Sequence, residues 1–194
     1  MSTRVVAVVL LAFAVLGGAP AQNPVVIFET TLGTIEIEVD AARAPSTAAN
    51  FLRYVDAGLY DSGRFHRTVR PDTETRQDLP IQVIQAGINL ARRGEGFAPI
   101  AMESTKATGI LHKDGVVSMA RAGANTATSD FFICIGDQPL LDFGGARNAD
   151  GQGFAAFGRV VSGMDVVRKI QAAAVRPGTQ NLEPPIGIVR ARRK

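Results

Sequence analysis

The chain has 194 residues, of which 46% are hydrophobic, enough apolar material for one substantial core, and we expect a single folded domain. Its formal net charge of +3 is too small to indicate a nucleic-acid partner. One cysteine cannot form an internal disulfide, and with only two histidines the chain has no cluster of these residues at metal-ligand spacing, which argues against a zinc site.

Residues 1–21 are predicted to be a secretory signal peptide. Arg4 precedes an unbroken apolar run at residues 5–16, and Ala19 and Ala21 fit the small-x-small rule for cleavage. A membrane anchor is the alternative, but as a helix this run would span only about 18 Å, against roughly 30 Å for the hydrocarbon core. We therefore expect a periplasmic or secreted protein, a monomer with no membrane contact after cleavage, whose domain is residues 22–194.

The predicted domain begins with a hairpin and a helix. Residues 25–30 and 34–39 are rich in β-forming side chains on either side of Gly33, and the second run alternates apolar and polar residues, as in a hairpin with one solvated face. Residues 45–57 carry apolar side chains at helical spacing, and Gly58 follows where a left-handed residue ends many helices. We expect this helix to cover an end or a face of the sheet.

The middle of the chain reads as strands separated by loops. Strands are predicted at residues 63–69 and 81–87, whereas residues 88–110 have little periodicity and are interpreted as a long surface loop. The stretch at 115–137 has two apolar runs around a loop of small polar residues, which indicates strand, loop and strand. Cys134 lies in the second run, where we expect inert packing.

The last third of the chain is predicted to contain a loop at 142–153, a strand at 154–161 and a second helix. Ser162 is the expected N-cap of this helix, with Asp165 completing a variant capping box, and the helix should end near Ala174. The prolines that follow indicate a loop, and a short strand at residues 186–189 ends the fold. The basic residues 190–194 are interpreted as a solvated terminus.

Many short strands with only two helices favour a mainly β fold, in which an antiparallel sheet closes into a barrel and so removes its exposed edges. Hydrolase chemistry has no support, because there is no Gly-x-Ser-x-Gly motif and neither Ser118 nor Ser129 has a histidine or carboxylate at a spacing that would indicate a triad. The pairs of glycines in the loops do not complete a phosphate-binding fingerprint.

Several short motifs remain, and their order carries more information than any one of them. They are Phe65-His66-Arg67, Gln85, Met119-Ala120-Arg121, Phe131-Phe132, Phe154, and the run at residues 157–167. Over residues 25–190 this pattern resembles the cyclophilin-type peptidyl-prolyl cis/trans isomerases. The resemblance implies a closed eight-stranded antiparallel barrel capped by two α-helices, with a surface groove that binds proline-containing polypeptides without a cofactor or a metal.

The chemistry of such a groove follows from the amide bond. Rotation about the bond before proline crosses about 18–20 kcal/mol, because it breaks amide resonance and localises a lone pair on the proline nitrogen. A planar guanidinium that donates to this nitrogen binds the twisted amide better than the flat one, which is the differential binding that catalysis needs. The resemblance assigns this catalytic role to Arg67 and the proline pocket to Phe132.

The resemblance also implies a larger set of substrate-binding residues, namely Phe65, Gln82, Val83, Gln85, Ala120, Arg121, Asp130, Phe132, Leu140, Leu141 and Phe154. Taken singly, Arg67 could equally be a surface residue, Phe132 a core residue and His66 a structural histidine.

The sequence also departs from the family pattern. The segment between Arg67 and Gln85 is longer than in the family, with an insertion at 70–80, and Gln82 stands where a pocket-wall phenylalanine is usual. Asp130, Leu140 and Phe154 replace other family residues. Two functions follow: an active isomerase that assists the folding of exported proteins, or a proline-peptide-binding, chaperone-like module with weak or no activity.

Overall fold

The computed structural model describes residues 22–194, so the predicted signal peptide lies outside the described residues. Its strands confirm the predicted order of elements. The strands are β1 (Val25–Thr30), β2 (Gly33–Val39), β3 (Arg64–Val69), β4 (Val83–Gly87), β5 (Val116–Met119), β6 (Phe131–Cys134), β7 (Ala155–Ser162) and β8 (Asn181–Arg193). The helices are α1 (Pro45–Asp56), the single turn α2 (Thr105–Thr108) and α3 (Met164–Ala172). None of the helices within residues 22–194 is both long and apolar enough to cross a membrane.

The eight strands form a closed antiparallel barrel in the order β1-β2-β7-β5-β6-β4-β3-β8, which confirms the predicted fold class. The helix α1 packs against β7 and β8, and α3 packs against β2, β3 and β4. Each therefore buries its apolar stripe against the sheet, as the helical spacing of that stripe predicts.

Strand β6 shows how the barrel divides its side chains between two apolar clusters. Phe131 and Ile133 point into the main core, where Phe131 packs against the rings of Phe28 and Phe51 at centroid distances of 5.4 and 5.5 Å. Phe132 and Cys134 belong instead to a second cluster on the outer surface. Because successive side chains of a strand face opposite ways, one short apolar run supplies both clusters.

The start of α3 differs from the prediction. Ser162 is the last residue of β7, where it is the register partner of Glu36, and the N-cap is Gly163. Gly163 has φ +89°, and a Cβ there would lie 2.2 Å from the Thr34 carbonyl oxygen, so the tight strand-to-helix turn requires glycine. The capping-box prediction was therefore wrong, and Asp165 pairs with Lys169 on the helix surface.

The segment at 88–110 is not a structureless loop. It contains the 3₁₀ helix Leu90–Glu95, in which the side chain of Asn89 accepts a hydrogen bond from the backbone of Ala91, and the single turn α2. These short helical turns satisfy backbone groups locally, without a long apolar stripe that the sequence could reveal.

Strand β8 is much longer than the predicted strand at 186–189. It includes Pro184 and Pro185, which the sequence placed in a loop; they lie where the register between β3 and β8 breaks, so no ladder hydrogen bond is lost there. Its basic end pairs with β1 and closes the barrel. The basic side chains of this end are exposed, as predicted for a solvated terminus, and form surface ion pairs such as Arg193 with Asp56, but the backbone that carries them is part of a strand, which the sequence did not predict.

Candidate active site

Arg67 owes its position to an irregularity in β3. Phe65 is paired with Ala86 and Arg67 with Gln85, so His66 is an extra residue in the ladder between β3 and β4. Without this β-bulge, Phe65 and Arg67 would face the same way. With it, Phe65 is buried in the barrel core, 6.2 Å from the Phe131 ring, and Arg67 points outward.

The Arg67 guanidinium is held from two sides. Its Nε and Nη2 atoms donate to the Gln180 Oε1 atom at 2.9 and 2.6 Å, and Nη1 donates to Gln85 Oε1 at 3.0 Å. These bonds leave one further N–H on each terminal nitrogen, since a guanidinium has five donors. Burial lowers the pKa of Arg67, the nearby Arg147 lowers it further, and Glu74 opposes both effects. Arg67 is half-buried, unlike an ordinary surface arginine.

Arg67 lines a cavity of about 390 Å³, which we call the Arg67 cavity. One wall is apolar and belongs to the outer cluster, and its members are Ile81, Val83, Ala120, Phe132, Leu141 and Phe154. The rings of Phe132 and Phe154 meet edge to face, with centroids 5.2 Å apart. The cavity therefore joins a charged planar donor to an apolar pocket, the combination that rotation of a prolyl amide requires.

A buried polar network lies behind Phe132. The imidazole of His112 stacks on the Phe132 ring at 5.9 Å and 15°, its Nδ1 lies 2.7 Å from Asp142 Oδ1, and its Nε2 lies 3.0 Å from Ser118 Oγ. The spacing of these residues in the sequence did not indicate this arrangement, because Asp142 reaches the network only through the fold. Ser118 and His112 are 0% and 1% exposed, so the hydroxyl cannot reach a substrate and the network supports the ring.

Arg121 lines the cavity but uses its guanidinium to hold the loop at 142–153. It donates to both carboxylate oxygens of Asp150 at 2.7 and 2.9 Å and twice to the Gly153 carbonyl, and it lies over the Phe154 ring. The hydrogen bond from Arg121, together with the Gln152 N–H, lowers the pKa of Asp150 to about 2. Arg121 therefore anchors the loop that carries one side of the cavity.

The insertion at 70–80 forms another side of the cavity. Glu74 is buried, accepts hydrogen bonds from the backbone N–H groups of Arg76 and Ile81, and pairs with Arg147 at 3.0 Å. Arg76 in turn donates to the Arg147 carbonyl at 2.7 Å. The insertion is thus docked onto the 142–153 loop; the insertion contributes Arg76 to the cavity, and the loop contributes Arg147 and Asn148.

The sequence predicted most of the cavity. The predicted residues that line it are Arg67, Val83, Gln85, Ala120, Arg121, Phe132, Leu141 and Phe154. Leu140 packs against the outer cluster without lining the cavity, and Asp130 lies beside His66 with 3.8 Å between carboxylate and imidazole. Substrate contact by any of these residues stays a prediction.

Gln82 is also outside the cavity, because its amide oxygen accepts a hydrogen bond from Gln171 of α3 at 3.2 Å. Ile81 lines the wall instead, together with Arg76, Arg147 and Asn148, and sequence reasoning missed all four. The insertion was visible in the sequence, but its docking through Glu74 was not, since nothing local to residues 70–80 specifies a partner at residue 147.

Sequence comparisons match this chain to one protein family. A family model described as "Cyclophilin type peptidyl-prolyl cis-trans isomerase/CLD" matches residues 25–193. Peptidyl-prolyl cis-trans isomerase A of Dickeya dadantii is 31% identical over 95% of this chain and 90% of its own length. Peptidyl-prolyl cis-trans isomerase B of Escherichia coli is 33% identical over 77% of this chain and 85% of its own length.

Solved structures share the fold. A cyclophilin type peptidyl-prolyl cis-trans isomerase of Cryptosporidium parvum matches with a TM-score of 0.70 and 20% identity, over 89% of this chain and 98% of that chain. A second structure of that protein, obtained in the presence of the dipeptide Ala-Pro, matches with a TM-score of 0.68 over 87% of this chain and 97% of that chain. At this identity the likeness concerns the fold alone.

Proposed function

The chain belongs to the family of cyclophilin-type peptidyl-prolyl cis/trans isomerases and is an enzyme of that class, and we propose that it binds the proline of its substrate in the Arg67 cavity and catalyses rotation there. The observation that carries the proposal is the placement of a half-buried guanidinium with unused donors beside an apolar pocket. The Cryptosporidium parvum protein of the same fold was crystallised in the presence of the dipeptide Ala-Pro, which supports a proline-containing substrate.

In this proposal Gln85 and Gln180 fix the plane of the guanidinium before substrate arrives. The remaining N–H groups of Arg67 donate to the prolyl nitrogen as its lone pair localises, an interaction that the planar amide cannot make. Each 1.36 kcal/mol gained in the twisted state is a factor of ten in rate. Because both glutamines bind the guanidinium through acceptor oxygens, they direct it without competing for the substrate.

The apolar wall holds the proline ring and removes water from the amide. The sequence left open a thin-walled pocket that binds but catalyses weakly, since Gln82 replaces a usual phenylalanine. Ile81 lines the cavity in this region and Gln82 turns to α3, so the wall stays apolar. The glutamine at position 82 therefore gives no reason to expect weak catalysis.

The test is an isomerisation assay on a short Xaa-Pro peptide, with Phe132→Ala as the pocket variant and Val189→Ala as a control at an exposed apolar residue that does not line the cavity. Wild type and the control should turn over the peptide equally, and Phe132→Ala should lose at least tenfold in kcat/KM. Equal activity in all three proteins would show that proline does not bind in the Arg67 cavity.

Export belongs to the same proposal. The charged start, the short apolar run at residues 5–16 and the Ala19 and Ala21 pattern support secretion followed by cleavage before Gln22. The enzyme would then act, as a monomer, on prolyl bonds of proteins folding in the periplasm or outside the cell. Mass spectrometry of the exported fraction should find a chain that begins near Gln22, and Leu10→Arg should keep the protein inside the cell. Recovery of the uncleaved chain in membranes would contradict export.

A further inference from the structure

A second and larger cavity lies on the other side of the bulge in β3. Its volume is about 900 Å³, and it is lined by the start of β3, residues 128–130, the 3₁₀ helix Leu90–Glu95 and the start of β8. We call it the His66 cavity, after the bulged residue that faces it. Building on the proposed function, we propose that this cavity is a specificity subsite that receives acidic side chains of the substrate polypeptide close to the isomerised proline.

The two cavities are neighbours along three strands. On β3, His66 lines one cavity and Arg67 the other; on β4, Gly87 and Gln85 are divided in the same way. At the start of β8, Asn181 lines the His66 cavity, and the preceding Gln180 holds Arg67. An extended chain advances about 3.3–3.6 Å per residue, so a polypeptide bound over Arg67 reaches the second cavity within a few residues of its proline.

Two arginines without a partner among the described residues determine the charge of the His66 cavity. Arg64 and Arg93 both line it and are exposed, and neither side chain has a hydrogen bond or an ion pair with any residue in the range 22–194. A third, Arg176, is already matched by Glu183, with two contacts of 3.2 Å. The only other carboxylate of the cavity is Asp130, and the cationic side chains therefore exceed the acidic ones.

His66 does not change this balance near neutral pH. Its burial lowers the pKa of the imidazole, although Asp130, 3.8 Å away, acts in the opposite direction. The excess charge of the cavity therefore comes from the arginines. A guanidinium presents paired donors that match the two oxygens of a carboxylate, and for this reason an aspartate or glutamate of the substrate fits the two unmatched arginines.

The alternative is that Arg64 and Arg93 are simply solvated surface residues. In that case any preference for acidic over neutral peptides would come from the general positive field of the protein, and an exposed arginine elsewhere on the surface would contribute to it as much as Arg64 or Arg93. Arg190 provides the matched control, because it is also exposed and has no hydrogen bond or ion pair within the described residues, but it lines neither cavity.

The experiment measures kcat/KM on peptides that share one Xaa-Pro pair and carry Asp, Asn or Lys at each of the three positions on either side. At one position or more, Asp should exceed Asn by about fivefold, as expected for an ion pair at a partly exposed site, and the preference should fall with added salt. The double variant Arg64→Gln/Arg93→Gln should lose the preference but keep turnover of the Asn peptides within twofold. Arg190→Gln should retain the preference.

Equal rates for Asp and Asn peptides at every position would overturn the subsite, and so would a preference that survives in the double variant or disappears in Arg190→Gln. Titration calorimetry with the same peptides decides the question without turnover, since wild type should bind the Asp peptide more tightly and the double variant should not. Turnover of neutral peptides tests the proposed function separately, so the failure of one proposal is distinguishable from the failure of the other.

Discussion

At the scale of the residue, one extra position in β3 decides where the guanidinium of Arg67 goes. The bulge at His66 sends Phe65 into the core and Arg67 into the cavity, and it brings His66 to the neighbouring cavity. The sequence motif predicted the importance of Arg67, but strand alternation alone would have put Phe65 and Arg67 on one face. A bulge depends on the pairing with β4 and cannot be deduced from β3 by itself.

We expect Arg67→Ala to lose most isomerase activity, and Arg67→Lys not to restore it. Lysine keeps the charge but not the planar fork that Gln85 and Gln180 hold in place. Because Arg67 is half-buried and makes three hydrogen bonds, its removal should cost about 1 kcal/mol of stability, more than an ordinary surface substitution. Peptide turnover and thermal unfolding of both variants, with Arg190→Ala as control, measure the two effects; near-wild-type turnover in Arg67→Ala would refute its catalytic role.

A second residue-scale prediction concerns the buried serine. Ser118→Ala should keep activity within about threefold and should lower stability by roughly 1–3 kcal/mol, because it leaves the His112 Nε2 atom without its partner. A fluorophosphonate probe for nucleophilic serines should not label the native protein, since Ser118 is 0% exposed. Stoichiometric labelling that Ser118→Ala abolishes would show that the triad-like network is reactive.

At the scale of the element, the insertion at 70–80 contributes Arg76 to the Arg67 cavity. An ion pair between Glu74 and Arg147 attaches it to the rest of the protein, and these two side chains are only 1% and 10% exposed. Sequence reasoning located the inserted segment because the spacing between Arg67 and Gln85 is longer than in the family that the sequence resembles. It could not locate the docking, because a buried ion pair between residues so far apart in sequence leaves no local pattern.

We expect Glu74→Ala to destabilise the protein by roughly 3–5 kcal/mol, because it leaves the Arg147 charge poorly compensated. Asp72→Asn is the control in the same segment, since Asp72 pairs with Arg70 at the surface. Its effect should stay within about 0.5 kcal/mol. Denaturant unfolding of the three proteins at neutral pH gives both values, and a similar loss in both variants would contradict the docking role of Glu74.

The ion pair between Glu74 and Arg147 also predicts how the stability of the protein changes with pH. Burial acts to raise the pKa of Glu74, but the N–H groups of Arg76 and Ile81 and the guanidinium of Arg147 outweigh it and lower the pKa. The stabilisation is therefore fully present above the ordinary glutamate pKa of 4.5 and is lost as the pH falls below it. The stability difference between wild type and Glu74→Ala should shrink accordingly on acidification.

At the scale of the whole molecule, the barrel was predictable because most strands carry their own signals. The runs at 25–30, 34–39 and 131–135 are short, β-branched or aromatic, and bounded by turns, and together they predict closure. The length of β8 was not predictable, because its prolines and basic residues resemble loop and terminus. Residues 190–193 form a strand because they pair with the backbone N–H and C=O groups of β1, which would otherwise be an exposed edge.

The single cysteine provides a probe of the outer cluster. Cys134 is a fully buried member of that cluster, and its burial raises the pKa of the thiol well above the usual value. We expect a thiol reagent to leave the native protein unmodified for hours and to label it at once in denaturant. Cys134→Ala is the control for specificity; complete labelling of the native state within minutes would show that the cluster opens readily.

The pairing of β1 with β8 also determines how the barrel should respond to mechanical force. Val26 lies opposite Arg193, and the Lys194 N–H donates to the Val25 carbonyl, so residues 25 and 194 meet at one end of an antiparallel ladder. Tension applied at these two points acts along the interstrand hydrogen bonds, which are perpendicular to the strands, and loads them one after another instead of all together. In optical tweezers the domain should therefore unzip at low force from this seam, whereas handles placed at opposite ends of the ladder, at residues 30 and 194, should shear it at a much higher force.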